Sequence, residues 1–256
     1  MAAAEAATLL HVEYGVGTIT LNRPKQKNSL GGELINSLVE NLKACMANDE
    51  VRIIVLTNNG NTFCAGANLK GAGEPARYSL VDVFKIMHEG PKVILGKISG
   101  HCTGGGVGLA AACDISVIAE NCDMGFTEVR IGVSPAIISV VCLPKMRRAD
   151  AAELMLSGEK ISGSRAAQVG LVTYAVPPEQ LSAKVEEIAL KLVRGGPNAM
   201  AATKSLVYRV PGMPVDEAFK WTAELSAKCF KSQEAKDGIL AFNKRVDAPW
   251  VPKSKL

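Results

Sequence analysis

An apolar run from Val93 to Ile98 is short enough for a buried strand. Lys97-Ile98-Ser99-Gly100-His101-Cys102-Thr103 leads into Gly104, Gly105 and Gly106, with Gly108 close behind, and then into Leu109-Ala110-Ala111-Ala112-Cys113-Asp114. Strand, glycine turn and small-residue helix in direct succession constrain the fold more than any other stretch. The first four N–H groups of a helix have no intrahelical acceptor, and that end of a helix favours negative charge. Glycine, lacking Cβ, lets a ligand approach the backbone. The stretch therefore suits a phosphate or an oxyanion that develops during a reaction; the plainer alternative is close packing of a helix on a sheet. A phosphate loop would place Lys and Ser or Thr after its last glycine, and a dinucleotide turn would space its glycines differently. Neither pattern is met.

At 256 residues the chain suits one large domain, or one domain with a small appendage. Hydrophobic residues make up 48% and aromatic residues 5%, which argues an aliphatic core. A net charge of +4 without a basic block gives little support to a nucleic-acid partner, and none is expected. The seven scattered cysteines lack Cys-x-x-Cys spacing and read as buried thiols of a reducing compartment. His11, His88 and His101 show no metal-ligand spacing, so no metal is expected. No apolar run reaches membrane-spanning length, so no membrane partner is expected. The Ala-rich N-terminus carries Glu5 and no basic segment, and reads as a frayed tail and not a signal peptide. Ser254-Lys255-Leu256 is a peroxisomal address if a eukaryotic receptor reads it; otherwise the expectation is cytoplasmic.

Alternation around Tyr14-Gly15 predicts a hairpin over Leu9–Leu21. Leu34, Leu38, Leu42 and Cys45 recur at helical spacing and predict a helix over Gly32–Ala47. Strands are expected at Val51–Thr57, Val93–Ile98 and Ile115–Ala119, a helix at Ser79–His88 and a mobile loop at Gly71–Arg77. Short helices are expected at Ile137–Leu143, Ala149–Leu156 and Ser164–Gln168. Longer ones are expected at Gln180–Val193, Asn198–Tyr208 and Val215–Phe242. The alternation of helix and buried strand argues an α/β fold with a parallel sheet of right-handed βαβ units. The character changes near Val176-Pro177-Pro178, which divides the chain into an α/β core over 1–176 and a helical region over 177–256.

A second glycine bend, Thr62-Phe63-Cys64-Ala65-Gly66-Ala67-Asn68-Leu69-Lys70, also follows a strand. Two strand ends could thus each offer an N–H to one oxygen, which is the arrangement of an oxyanion hole.

From about Thr18 to Val246 the sequence resembles the enoyl-CoA hydratase/isomerase, or crotonase, family. The resemblance is carried by Leu21-Asn22-Arg23-Pro24, Phe63 to Lys70, Ile98-Ser99-Gly100, Gly104-Gly105-Gly106, Ala112-Cys113-Asp114, Phe126 to Gly132, Leu156-Ser157-Gly158 and Ala166 to Val172, in that order. It implies a crotonase-like spiral of ββα units with a C-terminal helical region that trimerises. It also implies an acyl-CoA thioester substrate, no separate cofactor, and a homotrimer or dimer of trimers. Carried over residue by residue, Ala67 and Gly105 match the two amide donors to the thioester oxygen. Ala65, Asn68, Leu69 and Gly104 match the CoA-site segments, and Lys25 lies in a loop where relatives contact the CoA. Relatives usually have Asp where Asn68 stands.

Hydratases of the family typically use two glutamates. The second matches Glu128, and the first falls at Gly108, which cannot transfer a proton. Pro135-Ala136-Ile137-Ile138-Ser139 stands where relatives show Pro-Gly-x-Gly-Gly, so Ile137 and Ile138 are expected to line the altered pocket. A single glutamate can shuttle a proton between two carbons or deliver water. Single-glutamate, methylglutaconyl-CoA-hydratase-like members carry the same Gly-Gly-Gly-Val-Gly-Leu run, which favours hydration. The alternatives are a Δ3,Δ2-enoyl-CoA isomerase and a non-catalytic CoA- or RNA-binding protein. Glu128 could equally be a surface carboxylate paired with Arg130 or a lysine. Asp114 reads as a backbone cap, His101 as structural, and Cys64, Cys102 and Cys113 as packing. His88 and Glu89 could face the acyl chain, but the reading assigns them no role.

Overall fold

The computed structural model describes residues 5–69 and 75–253. The expected loop at Gly71–Arg77 lies mostly outside those residues, and Ser254-Lys255-Leu256 lies wholly outside them.

The chain opens with an antiparallel hairpin, β1 (Thr8–Glu13) and β2 (Val16–Leu21). Tyr14 and Gly15 both have positive φ, as a two-residue hairpin loop requires. α1 (Gly32–Ala47) follows and buries Leu34, Leu38, Leu42 and Cys45, the stripe read from the sequence.

Then the chain repeats one device. A long strand enters a first sheet, a three-residue strand enters a second, and a helix returns. β3 (Ile53–Asn58), β4 (Thr62–Cys64) and α2 (Leu80–Glu89) form one turn. β5 (Val93–Ile98), β6 (His101–Thr103) and α3 (Gly105–Ala112) form the next. β7 (Ile115–Ala119) and β8 (Asp123–Gly125) begin a third. With β9 (Lys160–Ser162) and β10 (Tyr174–Val176), the sheets have the orders β1-β2-β3-β5-β7-β10 and β4-β6-β8-β9. This is the ββα spiral implied by the family resemblance. Except for β1 and β9, the strands pair in parallel, as the helix–strand alternation indicated.

α3 is buried from Gly106 to Ala112. A helix apolar on all sides belongs inside a core. Its glycines permit the contact: a Cβ on Gly106 would stand 2.0 Å from the Cys64 carbonyl oxygen.

After a 3₁₀ turn at Thr127–Ile131, α4 (Ala136–Cys142), α5 (Arg148–Ser157) and α6 (Gly163–Gln168) complete the α/β part. α7 (Leu181–Val193) packs on β3, β5 and β7, and α8 (Pro197–Arg209) follows. The single helix expected over Val215–Phe242 is two, α9 (Val215–Lys231) and α10 (Gln233–Lys244). Ser232 divides them with an extended backbone, and its hydroxyl accepts from Ala235 N at 3.1 Å as the N-cap of α10.

A buried polar cluster joins α8 to the core. Lys204 Nζ lies 2.9 Å from Asp114 Oδ2 and donates to the carbonyls of Met87 and Lys92. Asp114 also accepts from Ile94 N at 2.7 Å and from the Tyr208 hydroxyl at 2.8 Å. Asp114 is therefore a backbone cap, as read from the sequence, and an anchor for α8 as well. The seven cysteines are free thiols, and burial raises Cys64 and Cys113 to about 12. Among the described residues no helix is long and apolar enough to cross a membrane.

Candidate active site

β4 and β6 are adjacent parallel strands, so their C-terminal ends lie side by side. The glycine bends that leave those ends therefore meet. Gly66 has φ +80°, and a Cβ there would stand 2.8 Å from Thr103 O and 3.0 Å from the Gly105 nitrogen. Only glycine allows this approach without strain. The bend is fastened from outside. Leu30 N donates to Gly66 O at 2.7 Å, Ala65 N to Lys27 O at 3.0 Å, and Thr103 Oγ1 to Ala65 O at 3.0 Å. The segment behind it is held by the buried Asn28, whose amide donates to the carbonyls of Asn59 and Thr62.

Ala67 is exposed and Gly105 half-buried, between the buried Gly104 and Gly106. Among the described residues neither the Ala67 nor the Gly105 N–H has a protein acceptor. Gly104, the N-cap of α3, donates its N–H to Gly125 O at 3.1 Å, which leaves the Gly105 amide at the open end of the helix.

Glu128 sits on the 3₁₀ turn that follows β8. Its carboxyl packs on Gly104: a Cβ on that glycine would stand 3.1 Å from Oε1 and 3.8 Å from Oε2. Glu128 Oε2 is buried and has no partner among the described residues. Burial raises the carboxyl above its ordinary value. The pairing with Arg130 considered from the sequence does not form, because Arg130 bonds Glu159. The Gly105 amide and the desolvated Glu128 carboxyl, whose Oε2 has no partner among the described residues, thus lie against neighbouring residues at the start of α3.

At Gly108 there is no second carboxylate, and the space is filled by apolar groups. A Cβ there would stand 2.5 Å from Ile138 Cγ2 and 2.9 Å from Phe84 Cζ. Of the two isoleucines expected to line the pocket, Ile138 is buried and Ile137 is 49% exposed. On a helix, neighbours in sequence cannot share one face.

Of the segments read as CoA-binding, Lys25 is exposed on the 3₁₀ turn Pro24–Gln26, Ala65 is half-buried beside Thr103, and Leu69 is 76% exposed. The Asn68 amide lies against Gly31, 3.2 Å from where a Cβ would stand. His101 is structural: its Nδ1 accepts from Asp123 N at 2.9 Å. His88 stacks on Tyr208 with ring centroids 4.4 Å apart. Burial lowers its affinity for a proton.

Phe84 lies on α2, outside the motifs, and carries no local signal. Asn28 follows the Asn22-Arg23-Pro24 motif, and its bonds to Asn59 and Thr62 form only in the fold. A cleft of about 650 Å³ between α8, α9 and α10 is lined by Ala199, Leu225, Phe230 and Trp250 among others, and by none of Ala67, Gly105 and Glu128.

The family model described as "Enoyl-CoA hydratase/isomerase" matches residues 11–253. A putative enoyl-CoA hydratase of Thermus thermophilus is 33% identical over 245 residues, covering 91% of this chain and 97% of the relative. The (E)-benzylidenesuccinyl-CoA hydratase of Thauera aromatica is 30% identical over 244 residues, covering 92% and 95%. Among solved structures, an enoyl-CoA hydratase of Mycobacterium smegmatis superposes with a TM-score of 0.89 at 27% identity, covering 96% of this chain and 99% of that one.

Proposed function

The chain belongs to the enoyl-CoA hydratase/isomerase family, and on that premise we propose that it is a hydro-lyase adding water across the double bond of a 2-enoyl-CoA thioester. The observation that carries the reading is the Glu128 carboxyl on Gly104, with its buried Oε2 unpartnered among the described residues, beside the Gly105 amide and the Gly66–Ala67 bend.

The chemistry follows from that arrangement. Addition to the β-carbon of a 2-enoyl thioester pushes an electron pair onto the thioester oxygen. The Ala67 and Gly105 amides receive that charge. Loss of one such donor costs about 3 kcal/mol in comparable sites. Glu128, as carboxylate, takes a proton from water as the oxygen bonds to the β-carbon. It then returns the proton to the α-carbon on the same face, collapsing the enolate. Desolvation suits it to both steps, because it brings the carboxyl's proton affinity closer to neutrality. Lys25, Ala65, Asn68, Leu69 and Gly104 are the residues assigned to the CoA moiety. CoA binding remote from the reacting carbons supplies energy for orienting them. The assembly is a homotrimer or a dimer of trimers, and the C-terminal Ser254-Lys255-Leu256 is a peroxisomal address where a receptor reads it.

Crotonyl-CoA added to the purified protein should lose its conjugated enoyl absorbance, with 3-hydroxybutanoyl-CoA as product. Turnover undiminished in Glu128→Gln would remove Glu128 from the mechanism.

The apolar filling at Gly108 favours a second reading, Δ3,Δ2-enoyl-CoA isomerisation. Here Glu128 takes a proton from C2 and returns it to C4, and no water is needed. Product analysis with a 3-enoyl-CoA separates the two: isomerisation gives the 2-enoyl thioester before any hydroxyacyl product.

A further inference from the structure

Phe84 and Ile138 meet over the bare backbone of Gly108, and each comes from a different helix packed on α3. Gly104, on which the Glu128 carboxyl packs, stands four residues earlier, at the N-cap of the same helix. An acyl group held by its thioester oxygen at the start of α3 and worked on beside Glu128 would run towards this apolar wall.

The wall is stiff. Both Cγ2 and Cβ of Ile138 lie within 3.0 Å of the position a Cβ on Gly108 would take. A β-branched side chain in a helix keeps one χ1 rotamer, so Ile138 yields only if α4 moves. Phe84 is held by its helix, which begins with a reciprocal Ser79–Asp82 cap. One turn after Phe84, His88 stacks on Tyr208 of α8, whose hydroxyl is bonded to Asp114. Phe84 and Ile138 are 6% and 3% exposed, so both side chains are backed by the core.

We propose that Phe84 and Ile138 are the specificity-determining residues of this site, closing its acyl end and restricting it to short acyl groups. The proposal rests on the acyl-thioester reading above. It assigns the two residues no proton transfer; their effect is steric exclusion.

The test is a chain-length ladder read in two ways. Saturated butanoyl-, hexanoyl- and octanoyl-CoA are titrated calorimetrically against the wild type, Ile138→Ala and the milder Ile138→Val. The matching 2-enoyl-CoA thioesters are assayed for kcat/KM. A hydrophobic pocket discriminates roughly 10- to 200-fold per misfitting methylene. The wild type should therefore bind octanoyl-CoA at least about tenfold more weakly than butanoyl-CoA. Ile138→Ala should recover about tenfold or more of that ratio, and Ile138→Val a smaller part. A wild type that binds octanoyl-CoA as tightly as butanoyl-CoA would overturn the proposal. So would a folded Ile138→Ala or Ile138→Val whose ratio stays within twofold of the wild type. Saturated thioesters do not react, so the binding ladder judges the wall independently of turnover. Binding selectivity without turnover of any enoyl-CoA would retain the wall and reject the assigned reaction.

Discussion

The missing side chain of Gly104 leaves the space that the Glu128 carboxyl occupies, with only 3.1 Å between the position of an added Cβ and Oε1. Gly104 also has φ +53° and ψ −123°, a conformation that side chains rarely adopt. Gly104→Ala should therefore cost about 1–3 kcal/mol of stability and push the carboxyl off its position. Urea unfolding reads the first effect. A fall in kcat larger than any change in KM reads the second.

Glu128 separates stability from activity. Its carboxyl is raised above the ordinary 4.5 because burial penalises the charged form. The folded protein carries that cost above the raised value and is free of it below the unfolded value. Glu128→Gln should match the wild type in melting temperature near pH 4 and exceed it increasingly as pH rises to 7. Meanwhile kcat should fall by about 10²–10⁴-fold, the usual contribution of a positioned acid/base. The acid limb of the wild-type kcat/KM profile should lie above 4.5. Thermal melts of both proteins across this pH range, with initial rates, check all three outcomes.

Gly66 tests the amide pair. With φ +80° and neighbours at 2.8 and 3.0 Å, a methyl group on Gly66 must push the Ala67 and Gly105 bends apart. Gly66→Ala should lower kcat by about 10²–10³-fold, the effect of losing one oxyanion donor. The Glu128→Gln/Gly66→Ala double variant should lose less than the product of the two single effects, because residues that act as a unit are not additive. Steady-state kinetics of the four proteins measure the coupling.

The Lys204–Asp114 pair should govern the docking of α8. The Lys204 side chain is 4% exposed and that of Asp114 12%. Removing one partner of a buried pair leaves a charge without compensation and costs about 3–5 kcal/mol. Lys204→Met should show that loss in urea unfolding, and Lys204→Met/Asp114→Asn should recover part of it.

The long strands, α1, α2 and both glycine bends were legible because their signals are local. Leu34, Leu38, Leu42 and Cys45 repeat at helical spacing, and Val93–Ile98 is a run of strand length. The three-residue strands β4, β6, β8, β9 and β10 were not, because such a strand completes hardly one period of alternation, and neighbouring strands supply its order. The break at Ser232 was hidden because apolar residues continue on both sides of it; the cap hydrogen bond that marks it needs only one serine. Of the proposed site, Glu128, Ala67 and Gly105 come from the family motifs. Phe84 does not, since its meaning depends on a glycine 24 residues away in sequence and on Ile138 beyond it.

α9 argues for the assembly. Among the described residues none of its 17 is buried, and Phe219 and Phe230 are 71% and 73% exposed. Acidic Asp216 and Glu217 begin the helix and Lys228 and Lys231 end it, so it is charge-stabilised at both termini yet keeps an uncovered apolar side. Large exposed apolar side chains clustered on one helix are the kind of surface that an interface between copies would cover. Phe242 on α10, 83% exposed, extends the apolar surface. If copies of the chain cover it, light scattering of the wild type should give three or six times the 27.0 kDa chain mass. Phe219→Glu and Phe230→Glu should each shift the protein towards monomer. A folded, monomeric wild type at micromolar concentration would remove the oligomer from the proposed function while leaving Glu128 and its glycine bends untouched.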